Sequence, residues 1–264
     1  MVKERLNYYG VGVPSKGKSG GLLLLWRKDV DVWIQSYSDH HIDATVQVVA
    51  DSVRWRFTGF YGHPEVAKRK LSWALLRQLS SQSHRPWLCM GDFNEILHQH
   101  EKSGIAARAT WQIQAFRECL SDCNLHDLGC HGSLFTWCNR RESPRTVRER
   151  LDRARSNTAW AALFPATQVS HIQEPCSDHA AVLLNSEGAS KREIKPNRPR
   201  FRFEAAWLRS EECKGVRTHG KDKTRIIQLK ICPAKSAVVV GCLGAGTVQA
   251  LAISLDVLRS WKRG

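Results

Sequence analysis

The stretch Pro86-Trp87-Leu88-Cys89-Met90-Gly91-Asp92-Phe93-Asn94 constrains the fold more than any other part of the chain. A short apolar run of this kind reads as a strand buried on both faces. Gly91 allows an unusual backbone angle where the run ends, and a carboxylate and an amide then follow two positions apart. At strand spacing, side chains i and i+2 point the same way. Asp92 and Asn94 are therefore expected to share one side at the mouth of a sheet. The same residues also suit an Asx-rich turn that caps the next segment, and the local sequence leaves both readings open.

The surrounding pattern mixes strands and helices. Gly20-Gly21-Leu22-Leu23-Leu24-Leu25-Trp26 reads as a turn entering a buried strand, and Val30, Val32 and Ile34 alternate with polar neighbours as in a half-exposed one. Residues 42–49 and 53–61 form a β-rich pair around Ala50-Asp51-Ser52, a hairpin signal. Pro64 can open a helix in which Ala67, Leu71, Ala74, Leu75 and Leu79 recur at helical spacing. Thr110 can cap a second helix, with Ile113, Phe116, Leu120 and Cys123 on its apolar face. Phe135-Thr136-Trp137, Val169 to Ile172 and Ala180 to Leu184 read as further strands, and a short helix from about Asn157 stops at Pro165. With hairpin-like neighbours and few clean βαβ alternations, the expected class is α+β.

Lysine and arginine total 40 against 25 acids, a net charge of +15, which favours a polyanionic partner such as nucleic acid. Nine cysteines without a Cys-x-x-Cys pair suit a reducing compartment. Cys119, Cys123, His126, Cys130 and His131 match no common zinc spacing, and core thiols account for them better. Residues 236–255 form an uncharged stretch of spanning length, but its glycines and polar residues make it weakly apolar for lipid, so no membrane partner is expected.

Hydrolysing a phosphodiester needs a carboxylate to orient or deprotonate water, a cation to offset phosphate charge and a way to stabilise the leaving oxygen. Suitable parts fall at predicted strand ends: Asp92 and Asn94, Asp152, Asp178-His179, and Tyr61 within Phe60-Tyr61-Gly62-His63-Pro64. Each has a bland counterpart. Tyr61 also suits an amphipathic strand, Asp152 a surface ion pair within Arg150-Leu151-Asp152-Arg153, Ser177-Asp178-His179 a polar turn, and His63 a turn before proline.

Taken in order, Gly59-Phe60-Tyr61, Gly91-Asp92-Phe93-Asn94, Phe135-Thr136-Trp137, Arg150-Leu151-Asp152-Arg153 and Ser177-Asp178-His179 closely resemble the endonuclease/exonuclease/phosphatase (DNase-I-like) superfamily. The wording is most similar to the endonuclease domain of plant LINE-type non-LTR retrotransposons, over about Ser19 to Val216. The resemblance implies a four-layer α/β sandwich, two packed β-sheets flanked by helices. It implies that Asp92 orients or activates water while Asn94 helps place water and phosphate. Tyr61 and His179 would contact the phosphate, with Asp152 fixing the imidazole and favouring its charged form. Asp178 would lie near a divalent metal, magnesium with manganese as the alternative. His63, Thr136 and Ser177 would help bind or position substrate, and the implied partner is DNA.

Two features depart from the family pattern. Members begin with a strand carrying an asparagine and a second carrying a metal-ligand glutamate. Neither context occurs here, and Glu4 in Lys3-Glu4-Arg5 does not match it. A fold lacking its first strands is expected to show an open sheet edge or a central gap. The expected organisation is an endonuclease-like domain at 1–185, a basic linker resembling the post-endonuclease region at 186–217 and an unassigned tail at 218–264. The expected activity is a metal-dependent DNA-nicking phosphodiester hydrolase of retrotransposon origin, impaired in this copy. The alternatives are a catalytically dead nucleic-acid-binding fragment and a phosphoesterase for a small phosphate ester. An intracellular location follows, nuclear if DNA is the substrate, and the sequence leaves the oligomeric state open.

Overall fold

The computed structural model describes residues 8–14, 21–48, 52–173, 177–187, 237–244 and 247–254, the last two segments as backbone alone. The first five strands are β1 (Tyr8–Val13), β2 (Leu22–Arg27), β3 (Asp31–Ser38), β4 (His41–Gln47) and β5 (Trp55–Tyr61). A single 3-10 turn, Val66–Lys68, leads into helix α1 (Arg69–Ser81), followed by β6 (Trp87–Asp92), β7 (Lys102–Ser103) and α2 (Thr110–Asp122). Short strands β8 (His126–Asp127), β9 (His131–Gly132), β10 (Trp137–Cys138) and β11 (Arg148–Glu149) precede β12 (Asp152–Ser156) and α3 (Thr158–Leu163). Strands β13 (Gln168–Ile172), β14 (Ala181–Asn185), β15 (Ala237–Gly244) and β16 (Thr247–Ser254) complete the order.

Two large sheets form. One has six strands in the order β3-β4-β5-β6-β12-β8, the other seven in the order β1-β2-β15-β16-β14-β13-β9, and β10-β11-β7 make a small third sheet. The core between the large sheets takes Leu22, Leu24 and Trp26 from one side and Ile42, Ala44, Val46, Phe57, Leu88 and Met90 from the other, joined by Val182 and Leu184. Full burial stabilises each such side chain by about 1.5–3 kcal/mol. Strand β6 is buried at every position, as its apolar run implies. Its other face, with Trp87 and Cys89, meets Trp73, Leu76 and Leu79 of α1 and Phe116 and Leu120 of α2. This is an α+β sandwich of packed sheets with helices layered outside.

Strand β4 is also buried throughout, although it alternates apolar with polar residues. Its polar face is satisfied internally: Arg56 of β5 donates to Asp43 at 2.8 Å, and Thr58 donates to the same carboxylate at 2.5 Å. Buried polar groups that are paired in this way cost little.

Two expectations change, at Thr110 and in the seven-stranded sheet. Thr110 is the first residue of α2, and the capping position falls to Ala109 without a side-chain hydrogen bond. The uncharged stretch within 236–255 forms the antiparallel strands β15 and β16 rather than one continuous apolar segment. Its β-branched residues suit strands better than a helix. No helix among the described residues is long and apolar enough to cross a membrane. The expected central gap is also absent from the seven-stranded sheet. Strand β15 pairs antiparallel with β2, and β16 pairs parallel with β14, so the hairpin lies between them. Lys3, Glu4 and Arg5 lie outside the described residues, as do residues 188–236 of the linker and tail.

Candidate active site

Three neighbouring strands of the six-stranded sheet end together. In the parallel β5–β6 ladder Tyr61 is the register partner of Asp92, and in the antiparallel β12–β6 ladder Asp152 is also its partner. Three residues from distant parts of the sequence thus stand side by side at strand spacing, about 5 Å apart. Two glycines make the close packing feasible. A Cβ at Gly91, whose φ is +153°, would lie 1.8 Å from the Phe60 carbonyl oxygen, and one at Gly62 would lie 2.3 Å from that of Phe93. Beyond the strand, Asn94 takes a left-handed φ of 55°, which asparagine tolerates better than most residues. Its backbone N–H donates to Asp92 Oδ1 at 2.8 Å, and its side-chain amide donates to the Gly62 carbonyl at 2.8 Å. Asn94 therefore locks the β5 and β6 ends together, so the strand-end and Asx-turn readings of this stretch both hold.

His179 reaches the same place from the other sheet. Its Nδ1 lies 3.0 Å from Asp152 Oδ2, and its backbone N–H donates to Ser177 Oγ at 3.1 Å. Thr136 Oγ1 accepts from the backbone N–H groups of Leu151 and Asp152 at 2.9 and 3.0 Å, fixing the start of β12. The Thr136 carbonyl in turn accepts from Ala180 N–H at 2.6 Å. Asp178 turns away: its Oδ2 accepts from the indole N–H of Trp137 at 3.1 Å, and its carbonyl accepts from Cys138 N–H at 2.9 Å.

The electrostatics follow from this crowding. Burial, then the charge of Asp152, raises the Asp92 carboxyl to about 7, against the pull of His179, the Asn94 N–H and Arg69. Burial opposes charge on His179. The Asp152 carboxylate nonetheless prevails through charge and hydrogen bond, helped by Asp92 and Asp178, and raises the imidazole to about 9. The carboxyl thus titrates near neutral pH and the imidazole above it, so between the two values the carboxylate can accept a proton while the imidazole stays charged.

Asp92, Asp152 and His179 each bring a ligand atom within 4.8 Å of the others. Asp152 Oδ1 is buried and has no hydrogen-bond partner among the described side chains. An orphaned carboxylate oxygen beside a second, destabilised carboxylate fits a small cation that prefers oxygen ligands. Asp178 is not among these three residues.

The other face of β12 is ionic. Arg153, fully buried, donates to both carboxylate oxygens of Glu101 and to Asp127. Arg150 donates to the same two carboxylates at 3.2 and 3.0 Å, and Arg155 to Asp127 at 3.2 Å. Arginines 150, 153 and 155 are thus in large part internal struts behind Asp152. Sequence reasoning also passes over His40, which packs against Tyr61 and His63, and gives no role to Trp137, which holds Asp178. Position in the ladder, invisible in the local sequence, is what brings them in.

The sequence profile of the Endonuclease/Exonuclease/phosphatase family matches residues 2–179. No curated protein matches the chain. Among solved structures, the chain is similar to the endonuclease domain of TRAS1, a telomere-specific non-LTR retrotransposon, with a TM-score of 0.51 and 12% identity over 66% of this chain and 77% of that one. It is also similar to the AP endonuclease LMAP from Leishmania major, with a TM-score of 0.50 and 16% identity over 66% and 68% of the two chains. At such identities the likeness is one of fold.

Proposed function

Because the chain belongs to the endonuclease/exonuclease/phosphatase family, we propose that it is a divalent-metal-dependent phosphodiester hydrolase that nicks DNA. The observation that carries this reading is the Asp92–Asp152–His179 group, in which one carboxyl is set to about 7 and one imidazole to about 9. Asp92 orients the attacking water and accepts its proton as oxygen adds to phosphorus. His179, charged and held through Nδ1 by Asp152, donates to a non-bridging phosphate oxygen, which gains charge as the attacking oxygen adds to phosphorus. Tyr61, in register beside Asp92, contacts the same phosphate. Asn94, Thr136 and Ser177 act by position, holding the strand ends and the His179 backbone. Asp178 acts through its charge on His179.

Magnesium, or manganese in its place, would be held by Asp92 and Asp152 Oδ1. When bound it neutralises phosphate charge and stabilises the leaving oxygen. Two carboxylates are few ligands for magnesium, which favours octahedral oxygen coordination. Weak metal affinity, and with it activity only at high magnesium, is therefore the form that impairment takes here. The net charge of +15 favours DNA over a small phosphate ester as substrate. It also supports a second reading, binding of nucleic acid without cleavage.

The test is nicking of supercoiled plasmid with magnesium and with chelator, beside His179→Ala. Metal-dependent nicking that the substitution abolishes supports the hydrolase. Folded protein that binds the plasmid at low salt but never nicks it, even at high magnesium or manganese, leaves only the binding reading.

A further inference from the structure

Beside the Asp92 group, three rings meet at the edge of the sheet. His40 sits in the tight turn between β3 and β4. Its carbonyl accepts the Tyr61 N–H at 2.9 Å, and its Nδ1 lies 2.8 Å from the Tyr61 carbonyl oxygen. A carbonyl can only accept, so Nδ1 carries a proton and Nε2 is the ring nitrogen left to gain one. The His40 ring is parallel to Tyr61 at 3° with centroids 5.9 Å apart, and the His63 ring lies 3.8 Å from His40. All three residues are half-buried.

The shelf is built into the site rather than draped over it. Gly62, between Tyr61 and His63, donates its N–H to the Asp92 carbonyl at 2.7 Å and is held by Asn94, while His63 N–H donates to Ser72 Oγ on α1 at 2.8 Å. The charged and titratable neighbours are few. Lys68 and Glu65, on the turn before α1, pair with each other at 2.8 Å. His41, beside His40, is occupied by Ser36 and Ser38. Asp39 precedes His40 in the turn, and Tyr61 and Asp92 close the other side. Burial, then His40 and Lys68, hold His63 below its ordinary value, with Glu65 opposing. Two imidazoles this close repel when both are charged, and Glu65, the carboxylate that pulls on His63, is already paired with Lys68. An external anion would complete the arrangement.

We propose that His40 and His63 form a second phosphate subsite, which takes the phosphodiester adjacent to the one at Asp92 and His179. The proposal rests on the nucleic-acid reading above, but its test needs no cleavage. Protonated imidazoles supply charge-assisted donors to phosphate oxygens, and imidazoles change charge within the range from pH 5 to 8. The subsite therefore engages a DNA strand at mildly acidic pH and releases it as pH rises. Tyr61, whose ring is parallel to His40 and whose backbone is in register with Asp92, links the two phosphates.

The experiment measures binding of a 12-base-pair duplex to the full chain in chelator, across a salt series at pH 6 and pH 8. The native chain is compared with His40→Gln/His63→Gln and with His40→Asn alone, whose amide can still donate to the Tyr61 carbonyl. Loss of a phosphate contact lowers the slope of log affinity against log salt by about 1. The expected result is a shallower slope and at least about a tenfold loss of affinity for the double variant at pH 6, vanishing at pH 8. His40→Asn is expected to follow in the same direction with an unchanged melting temperature. A loss equal at both pH values overturns the proposal, because it marks an uncharged stacking surface, and so does no loss at either pH. Failure of plasmid nicking leaves this result intact, so the two readings fail separately.

Discussion

Asp152 stands directly opposite Asp92 across the β12–β6 ladder, and only one of the two has a histidine: Asp152 Oδ2 lies 3.0 Å from His179 Nδ1. Two like charges at one register position are destabilising unless something divides their roles. Here Asp152 is tied to a cation, and Asp92 carries the penalty as a raised proton affinity. In the proposed reaction that asymmetry assigns Asp92 the role of base and His179 that of charged donor.

Replacing Asp152 with asparagine removes the groups' common partner. Burial of His179 persists while its main support disappears, so its imidazole should fall well below 9, with only Asp92 and Asp178 still raising it. Loss of its charge at neutral pH should lower any nicking rate by about 100-fold or more. Imidazole proton shifts followed by NMR across pH check the first outcome, and plasmid nicking checks the second. An imidazole that still titrates near 9 in Asp152→Asn would sink the pairing.

The native chain should show a bell-shaped pH–rate profile. Asp92 must be ionised to accept a proton, so activity rises as pH passes about 7. His179 must be charged to donate, so activity falls as pH passes about 9. Bound magnesium favours the Asp92 carboxylate, so the rising limb should move to lower pH as magnesium increases while the falling limb stays in place. A profile that still rises beyond pH 10 excludes His179 as the donor.

The same pair links stability to pH. The folded imidazole at about 9 lies above its ordinary 6.5, so the stabilisation is full below pH 6.5 and is lost as pH rises through 9. The difference is worth at most about 3 kcal/mol. Urea unfolding at pH 6.5 and 9.5 should show that loss in the native chain and little of it in Asp152→Asn.

Much of this site is visible in the sequence, because the parts that carry chemistry also carry local structure. The apolar run ending in Gly91-Asp92 defines β6, the branched residues around Ile42 and Phe57 define β4 and β5, and α1 and α2 follow from helical spacing. The register of Tyr61 and Asp152 on Asp92 is not local. It depends on which strands pair, and no periodicity within β5 or β12 states it. The arginines of β12 mislead for a related reason. Alternation puts Arg153 and Arg155 on the face opposite Asp152, and only the folded positions of Glu101 and Asp127 show that face to be interior. Residues 237–254 illustrate the limit most clearly. An uncharged stretch of that length is compatible with several structures, and its place between β2 and β14 is set by partners far away in the chain.

Glu101 should be among the least replaceable side chains outside the Asp92 group. It is 2% exposed and accepts from Arg150, Arg153 and the Leu97 N–H. Glu101→Gln keeps the shape but leaves two buried guanidinium groups short of charge. Breaking a buried pair on one side costs about 3–5 kcal/mol. Denaturant unfolding should show that loss, whereas Asp29→Asn, at an exposed pair with Arg27, should change stability by less than about 1 kcal/mol.

The hairpin makes a prediction of its own. Strand β15 is paired on both sides, Val240 with Leu24 of β2 and with Leu251 of β16. Proline at such a position deletes a backbone donor that a central strand uses, whereas threonine keeps it. Losing one ladder bond between two paired strands costs about 1–3 kcal/mol. In a chain of this size that is a fall in melting temperature of roughly 2–10 °C. Val240→Pro should show that fall and expose β2 and β14 as open edges, with a rise in aggregation. Val240→Thr should not. Because β14 begins two residues after His179, Val240→Pro should also weaken magnesium-dependent nicking even at a temperature where the protein stays folded. If the proline variant melts and nicks as the native chain does, the hairpin is not the strand pair that closes this sheet.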